Sequence, residues 1–260
     1  MKILVTFALE TEFAPWRTLR EFRAVQWGDA EVYRTQIGAA EVVVMLTGAG
    51  PKQAHLQTAK VLGGDQESIH LCVSCGLAGA LKPEYLIGQV LAARSVRTEN
   101  EQTDPSSNPL QSSAALLSFA EECGATVVEQ FFSSVRVVGG AEEKRHLGER
   151  SDAVEMESFE VLLESTAYGI PAIAIRAVSD SVDEDLPLDM NRIFTDDGQV
   201  SIPRVLGQVA LHPTSVPELV RLGQNSKAAA ASLARFLDKY ITMVSGRFQI
   251  LERRTGAAAP

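Results

Sequence analysis

Only three of the 260 residues are cysteine. That is too few for a disulfide framework and ordinary for a reducing cytoplasm. No apolar run approaches the ~20 residues of a membrane helix. Glu10 and Glu12 interrupt the N-terminal stretch before a signal-peptide core could form. Basic residues are in deficit, 24 Lys+Arg against 33 Asp+Glu, for a net charge of −9. A general nucleic-acid binder needs basic surface for phosphates, and docking on anionic membranes needs it too, so both are disfavoured. The four histidines, His55, His70, His146 and His212, lack metal-ligand spacing. What is present, 45% hydrophobic and 22% charged residues, matches globular averages, and the length suits one α/β domain with a real core. These deficits leave an acidic, cytoplasmic, enzyme-sized protein without naming its chemistry.

Along the chain, short β-branched runs alternate with amphipathic stretches. Residues 2–8, 32–37, 41–47, 70–74, 89–96, 131–138, 153–156 and 172–179 read as strands. Helices are expected over 51–62, 114–123, 141–147 and 159–168, with Pro51 suited to a first turn. The polar stretch 98–113 reads as a loop or lid. The region from about Asp189 is helical in character, with loops at Pro203, Pro213 and Pro217. This alternation predicts an α/β fold, a three-layer α/β/α sandwich, over one domain at 1–254 with a disordered tail at 255–260.

Chemistry-bearing residues collect at the ends of the expected strands. Thr47-Gly48-Ala49-Gly50 joins a strand to a helix, where amides and a helix dipole can hold an anion or a sugar oxygen. It is not a dinucleotide fingerprint, since the third glycine would fall at Gln53, and a tight turn explains it equally well. Gly76-Leu77-Ala78 also ends a strand, with side chains small enough for close ligand approach or for packing alone. Cys72 and Cys75 have C-x-x-C spacing, but Cys72 falls within a strand and no second pair exists, so buried thiols are expected and no metal site. Glu10 and Glu12 follow the first strand, either as site carboxylates or as helix N-terminal charge. Glu155-Met156-Glu157 stands at another strand–helix junction, and Arg176-Ala177-Val178-Ser179-Asp180 closes the most apolar strand.

Taken in order, these motifs resemble the nucleoside phosphorylase/hydrolase superfamily, which includes the 5'-methylthioadenosine/S-adenosylhomocysteine nucleosidases. The likeness runs from residue 1 to about 185, and the pair Val154-Glu155-Met156-Glu157 and Ile175 to Asp180 is its most specific part. Within the superfamily the chain is most similar to the hopanoid-associated phosphorylases, which act on adenosylhopane. The resemblance implies a nucleoside phosphorylase-like fold with a central mixed sheet. It implies cleavage of the N-glycosidic bond of a purine nucleoside, with adenine as base and a bulky 5'-substituent. Asp180 would protonate or hydrogen-bond the purine N7, Glu12 would activate water, Glu157 would hold the ribose hydroxyls, and Met156 would pack on the sugar. Substrate binding would also involve Glu155, Thr47, Gly48, Gly50, Gly76, Leu77, Ala78, Ser179 and Arg176.

Two departures bear on the nucleophile. Many phosphorylases place serine or threonine where Leu77 stands, and the Glu12 carboxylate would repel phosphate. Both favour water, although Arg94 or Arg97 would serve inorganic phosphate as co-substrate if either reaches the site. No cofactor is implied. The expected partners are a small-molecule nucleoside and further copies of the chain, as a homo-oligomer and dimer, without nucleic acid or stable membrane association. The segment Val137 to Glu142 lacks an aromatic for base stacking. A nucleoside-binding protein of the same fold is the non-enzymatic alternative, but it would need neither acid nor water base.

Overall fold

The computed structural model describes residues 1–64, 68–99, 108–195 and 197–256, with side chains through 247. β1 (Lys2–Phe7) is buried along its length because β4 (Ala40–Leu46) and β5 (Leu71–Ala80) flank it in parallel while helices cover both faces. Its side chains alternate between two cores. Ile3, Val5 and Phe7 join Phe13 and Trp16 of α1 (Glu10–Leu19), Leu116 of α3 (Ala114–Cys123) and Leu237 and Tyr240 of α7 (Val216–Gly256). Leu4 faces the other way, toward Ala54 and Val61 of α2 (Pro51–Leu62) and Val161 and Leu162 of α5 (Ser158–Ala167). Helices, a mixed sheet and helices thus make the expected three layers.

β10 (Ala172–Asp180), buried at every residue, runs parallel to β5 and antiparallel to β6 (Val90–Thr98). From β6 the sheet continues through β8 (Thr126–Ser133) to β9 (Ala153–Glu155), which lies antiparallel to β5. This end of the sheet therefore closes on itself. At the other end β3 (Ala30–Ile37) and β2 (Arg23–Trp27) extend it beyond β4 as antiparallel strands. Closure brings the ends of β1, β5, β9 and β10 to one rim, the place where α/β sheets put ligands.

Several local expectations shift. The strand expected at 131–138 lies at 126–133, because Gly124, left-handed at φ 102°, ends α3 and turns the chain straight into pairing with β6. Pro203 and Pro217 are not loop residues. They sit in the first turns of α6 (Ile202–Leu211) and α7, where a missing N–H costs nothing. β2 has no apolar signature because it is a largely exposed edge strand. Of the expected lid, 100–107 lies outside the described residues, and β7 (Leu110–Gln111) pairs with β6. Of the expected tail, α7 includes Thr255 and Gly256, and 257–260 lies outside the description. Among the described residues no helix is long and apolar enough to cross a membrane.

One helix is fixed against the rim by backbone contact. In α4 (Ala141–Gly148), a Cβ on Gly148 would collide with the Leu81 carbonyl oxygen. Gly148→Ala is expected to displace α4 and to cost about 1–3 kcal/mol, as overpacking does. A urea melt checks this, and an unchanged midpoint would contradict the contact.

Candidate active site

Eight of the thirteen residues singled out from sequence line one cavity at this rim: Glu12, Leu77, Ala78, Glu155, Met156, Glu157, Ser179 and Asp180. Glu12 enters from the first turn of α1 and folds back on the chain. Its Oε2 accepts the Ala8 and Leu9 amides at 3.0 and 3.1 Å, and its Oε1 accepts the Leu77 amide at 3.0 Å. It is thus both a helix-terminal charge and a cavity carboxylate. Gly76 makes this possible, since a Cβ there would stand 3.1 Å from Oε1. Burial raises the Glu12 carboxyl above the ordinary carboxylate range, although the Leu77, Leu9 and Ala8 amides and the charge of Arg176 pull the other way.

Arg176 is wholly buried on β10 behind three carboxylates. Its guanidinium pairs with Glu155 Oε2, lies 3.6 Å from Glu157 Oε2, and donates to the carbonyls of Ser74 and Ile175 at 3.0 Å each. Glu155 Oε2 also accepts the amides of Glu157 (3.0 Å) and Ser158 (2.8 Å), so it shapes the entry to α5. Glu157 receives the Gly50 amide on Oε1 at 2.8 Å. Burial, then the charge of Glu155, pushes the Glu157 carboxyl up to about 7, against the pull of Arg176 and the Gly50 amide. Arg176 therefore acts from behind the wall, as the countercharge that lets acidic groups share one small space.

Asp180 reaches the rim through a bulge that sets it opposite Gly79. Its Oδ1 accepts the Ser179 hydroxyl at 2.8 Å, and its Oδ2 lies 2.5 Å from Lys144 Nζ. Gly79 is required, since a Cβ there would stand 2.8 Å from Oδ2. Sequence reading passed over Lys144 as one residue of a charged helix. The available signal was its spacing from Ala141, because these two are the buried residues of α4.

The remaining predicted residues stand outside the cavity wall. The Thr47 hydroxyl bonds to backbone, at 2.8 Å from Gly48 O, and does not face the cavity. Gly48 and Gly50, at φ 82° and 95°, shape the turn: a Cβ on Gly48 would strike Asp197 O at 2.6 Å, and Gly50 aims its amide at Glu157. Arg94 pairs with Glu129 (3.2 Å), and Arg97 donates to Ser151 (2.9 Å) with its guanidinium over the Phe132 ring. Neither lines the cavity, so neither expected anion contact forms there. Cys72 and Cys75 are free and buried as expected, and burial pushes the Cys72 thiol up to about 12. The lining also includes the apolar Val137, Val138, Leu186, Met190, Phe194 and Leu222, together with Arg136 and Ser226. Phe194 is the aromatic that the segment before Glu155 lacks. It was missed because it lies far along the chain in a polar loop.

The model of the phosphorylase superfamily matches residues 2–207. Solved structures share the fold across nearly the whole chain. The 5'-methylthioadenosine/S-adenosyl homocysteine nucleosidase of Helicobacter pylori is 19% identical, with 93% of this chain and 97% of that chain covered and a TM-score of 0.70. The corresponding Neisseria meningitidis enzyme, in complex with methylthio-immucillin-A, is 22% identical, with 93% and 99% covered and a TM-score of 0.70. Futalosine hydrolase of Helicobacter pylori is 19% identical, with 93% and 97% covered and a TM-score of 0.70.

Proposed function

This chain belongs to the phosphorylase superfamily, and from that premise we propose that it cleaves the N-glycosidic bond of a purine nucleoside, with water as the nucleophile. The supporting observation is that Glu12, Glu157 and Asp180 line one cavity from three separate strand ends. The C1'–N9 bond breaks with its electron pair going to the base, and the Asp180 carboxyl gives its proton to N7 and is left as a carboxylate beside Lys144. The ribose gains cationic character, which the negative charge of Glu157 stabilises as it accepts the sugar hydroxyls. Water adds its oxygen to C1' and gives its proton to Glu12.

Glu12 also supports water as the nucleophile. The Ala8, Leu9 and Leu77 amides make a cradle of the kind that binds anions, and the Glu12 carboxylate already fills it. Phosphate would have to displace a tethered anion, and Arg136 is the one basic side chain among the described lining residues, paired with Glu143. Water needs no such room. The apolar lining residues suit an adenine base and an apolar 5'-substituent, of the kind that adenosylhopane carries. A methylthioadenosine/S-adenosylhomocysteine nucleosidase is the second reading, favoured by the same residues with a smaller 5'-group.

The test is adenine release from adenosine, methylthioadenosine, S-adenosylhomocysteine and a 5'-alkyl adenosine, with and without phosphate. Release from a 5'-substituted adenosine, indifferent to phosphate, is expected. Release that requires phosphate would overturn the water assignment, and none from any of them would overturn the whole reading. Asp180→Asn is expected to lower release about 10²-fold, as loss of a general acid does. Bound-ligand affinity should change little, as measured by titration with a non-hydrolysable adenine nucleoside.

A further inference from the structure

Lysine is almost never fully buried without a partner, yet the Lys144 side chain is 0% exposed. Its neighbours on α4, Glu142, Arg145 and His146, reach outward. The Lys144 ammonium has three hydrogens and three acceptors: Asp180 Oδ2 at 2.5 Å, Ser181 O at 3.0 Å and Glu184 O at 2.9 Å. The same helix start is stitched to the same loop by Asp185 Oδ1, which accepts the Ala141 amide at 2.7 Å, and by Gly139 O, which accepts the Leu186 amide at 2.8 Å. α4 and residues 180–186 thus form one hydrogen-bonded unit whose inner end is the Asp180 carboxylate.

Resting on the reading of Asp180 as the group that meets the departing base, we infer that Lys144 is a positioning residue for that step. By holding Oδ2 against Gly79, it leaves Oδ1, steadied by Ser179, as the oxygen presented to the purine N7. Torsion about the Asp180 side chain would otherwise swing the carboxylate, because Ser179 is its other side-chain partner. The tie to Ser181 and Glu184 adds a second effect. It fixes the backbone that follows Asp180 and with it Leu186 of the cavity wall. The charge is buried because its work is done on an atom at the cavity floor.

The distinguishing experiment varies the leaving group. A 5'-alkyl adenosine needs help at N7 to depart. The 4-nitrophenyl riboside with the same 5'-alkyl group leaves as a stable anion and needs none. Lys144→Met is expected to lower kcat on the adenosine by about tenfold or more, as small misplacements of a reacting group do. On the nitrophenyl riboside it should stay within about threefold of wild type, with KM similarly unchanged. The double variant with Asp180→Asn should be no slower than Asp180→Asn alone. Lys144→Arg, which keeps the charge if methionine prevents folding, should show the same leaving-group pattern to a smaller degree.

Equal losses on both substrates would reduce Lys144 to a structural role and overturn the inference, as would additive losses in the double variant. If Asp180→Asn loses adenine release while Lys144→Met keeps it, the Lys144 inference fails and the reading of the site stands. If wild type releases no adenine, the reading of the site fails first.

Discussion

Glu12→Ala is expected to lower adenine release about 10³-fold, within the range seen when a general base is removed. The proposed mechanism then loses two things together: the acceptor for the proton of water, and the plug of the anion cradle. Truncation leaves the Ala8, Leu9 and Leu77 amides without the acceptor they share, and buried donors of that kind bind small anions readily. Formate should therefore restore part of the lost rate, and inorganic phosphate should begin to compete for the same place. In the wild-type protein phosphate should do neither. Wild-type rates in the alanine variant would remove Glu12 from the chemistry. Phosphate stimulation of the wild type would mean that the cradle opens for a second anion.

Glu157→Gln should move activity and stability in opposite directions. In the proposed mechanism its charge faces the sugar cation, so the loss of release is expected at about 10²–10³-fold, as for other preorganised electrostatic contacts. Stability follows the opposite sign. Burial and Glu155 raise this carboxyl from 4.5 to about 7, so ionising it costs the folded state. That cost is absent below the ordinary value, develops as pH rises between the two, and is complete above the raised one. Glutamine removes the cost, so the variant should be more stable at pH 8, by no more than about 3 kcal/mol, and equal near pH 4. Denaturant melts at the two pH values check the difference, and a variant destabilised at pH 8 would contradict the buried charge. The wild-type kcat/KM should fall as pH drops through about 7, because the protonated carboxyl no longer faces the sugar with its charge. A flat profile there would assign the ribose contact to another group.

That a site can be costly to the fold bears on how much of it could be seen in advance. Glu12, Glu157 and Asp180 were legible as acidic residues at or just beyond strand ends, but each also read as helix-capping or loop charge, and the resemblance to the superfamily supplied their roles. The glycine turns at 48–50 were likewise legible at a strand end, yet their direct contact with a ligand was not. Whether Thr47 faces a ligand or its own backbone is a matter of side-chain direction, which the tight turn settled in favour of Gly48 O. Arg94 or Arg97 could have reached an anion from their strand, but Arg94 pairs with Glu129, and Arg97 donates to Ser151 and lies over the Phe132 ring.

The sequence by itself determined the layered α/β architecture, since two-faced apolar strands can be buried only between helices. It also determined which strand ends carry carboxylates. Only the tertiary structure decided what those carboxylates meet. The closure of β10 onto β5 sets Asp180 against Gly79 and within reach of a lysine 36 positions earlier in the chain. It sets Arg176 behind Glu155 and Glu157, and it brings Phe194 to a wall that local sequence had left without an aromatic. The physical reason is common to all three. Secondary structure follows from periodicity a few residues long, whereas partners for buried charge are chosen by contacts distant in sequence, and composition alone carries no record of them.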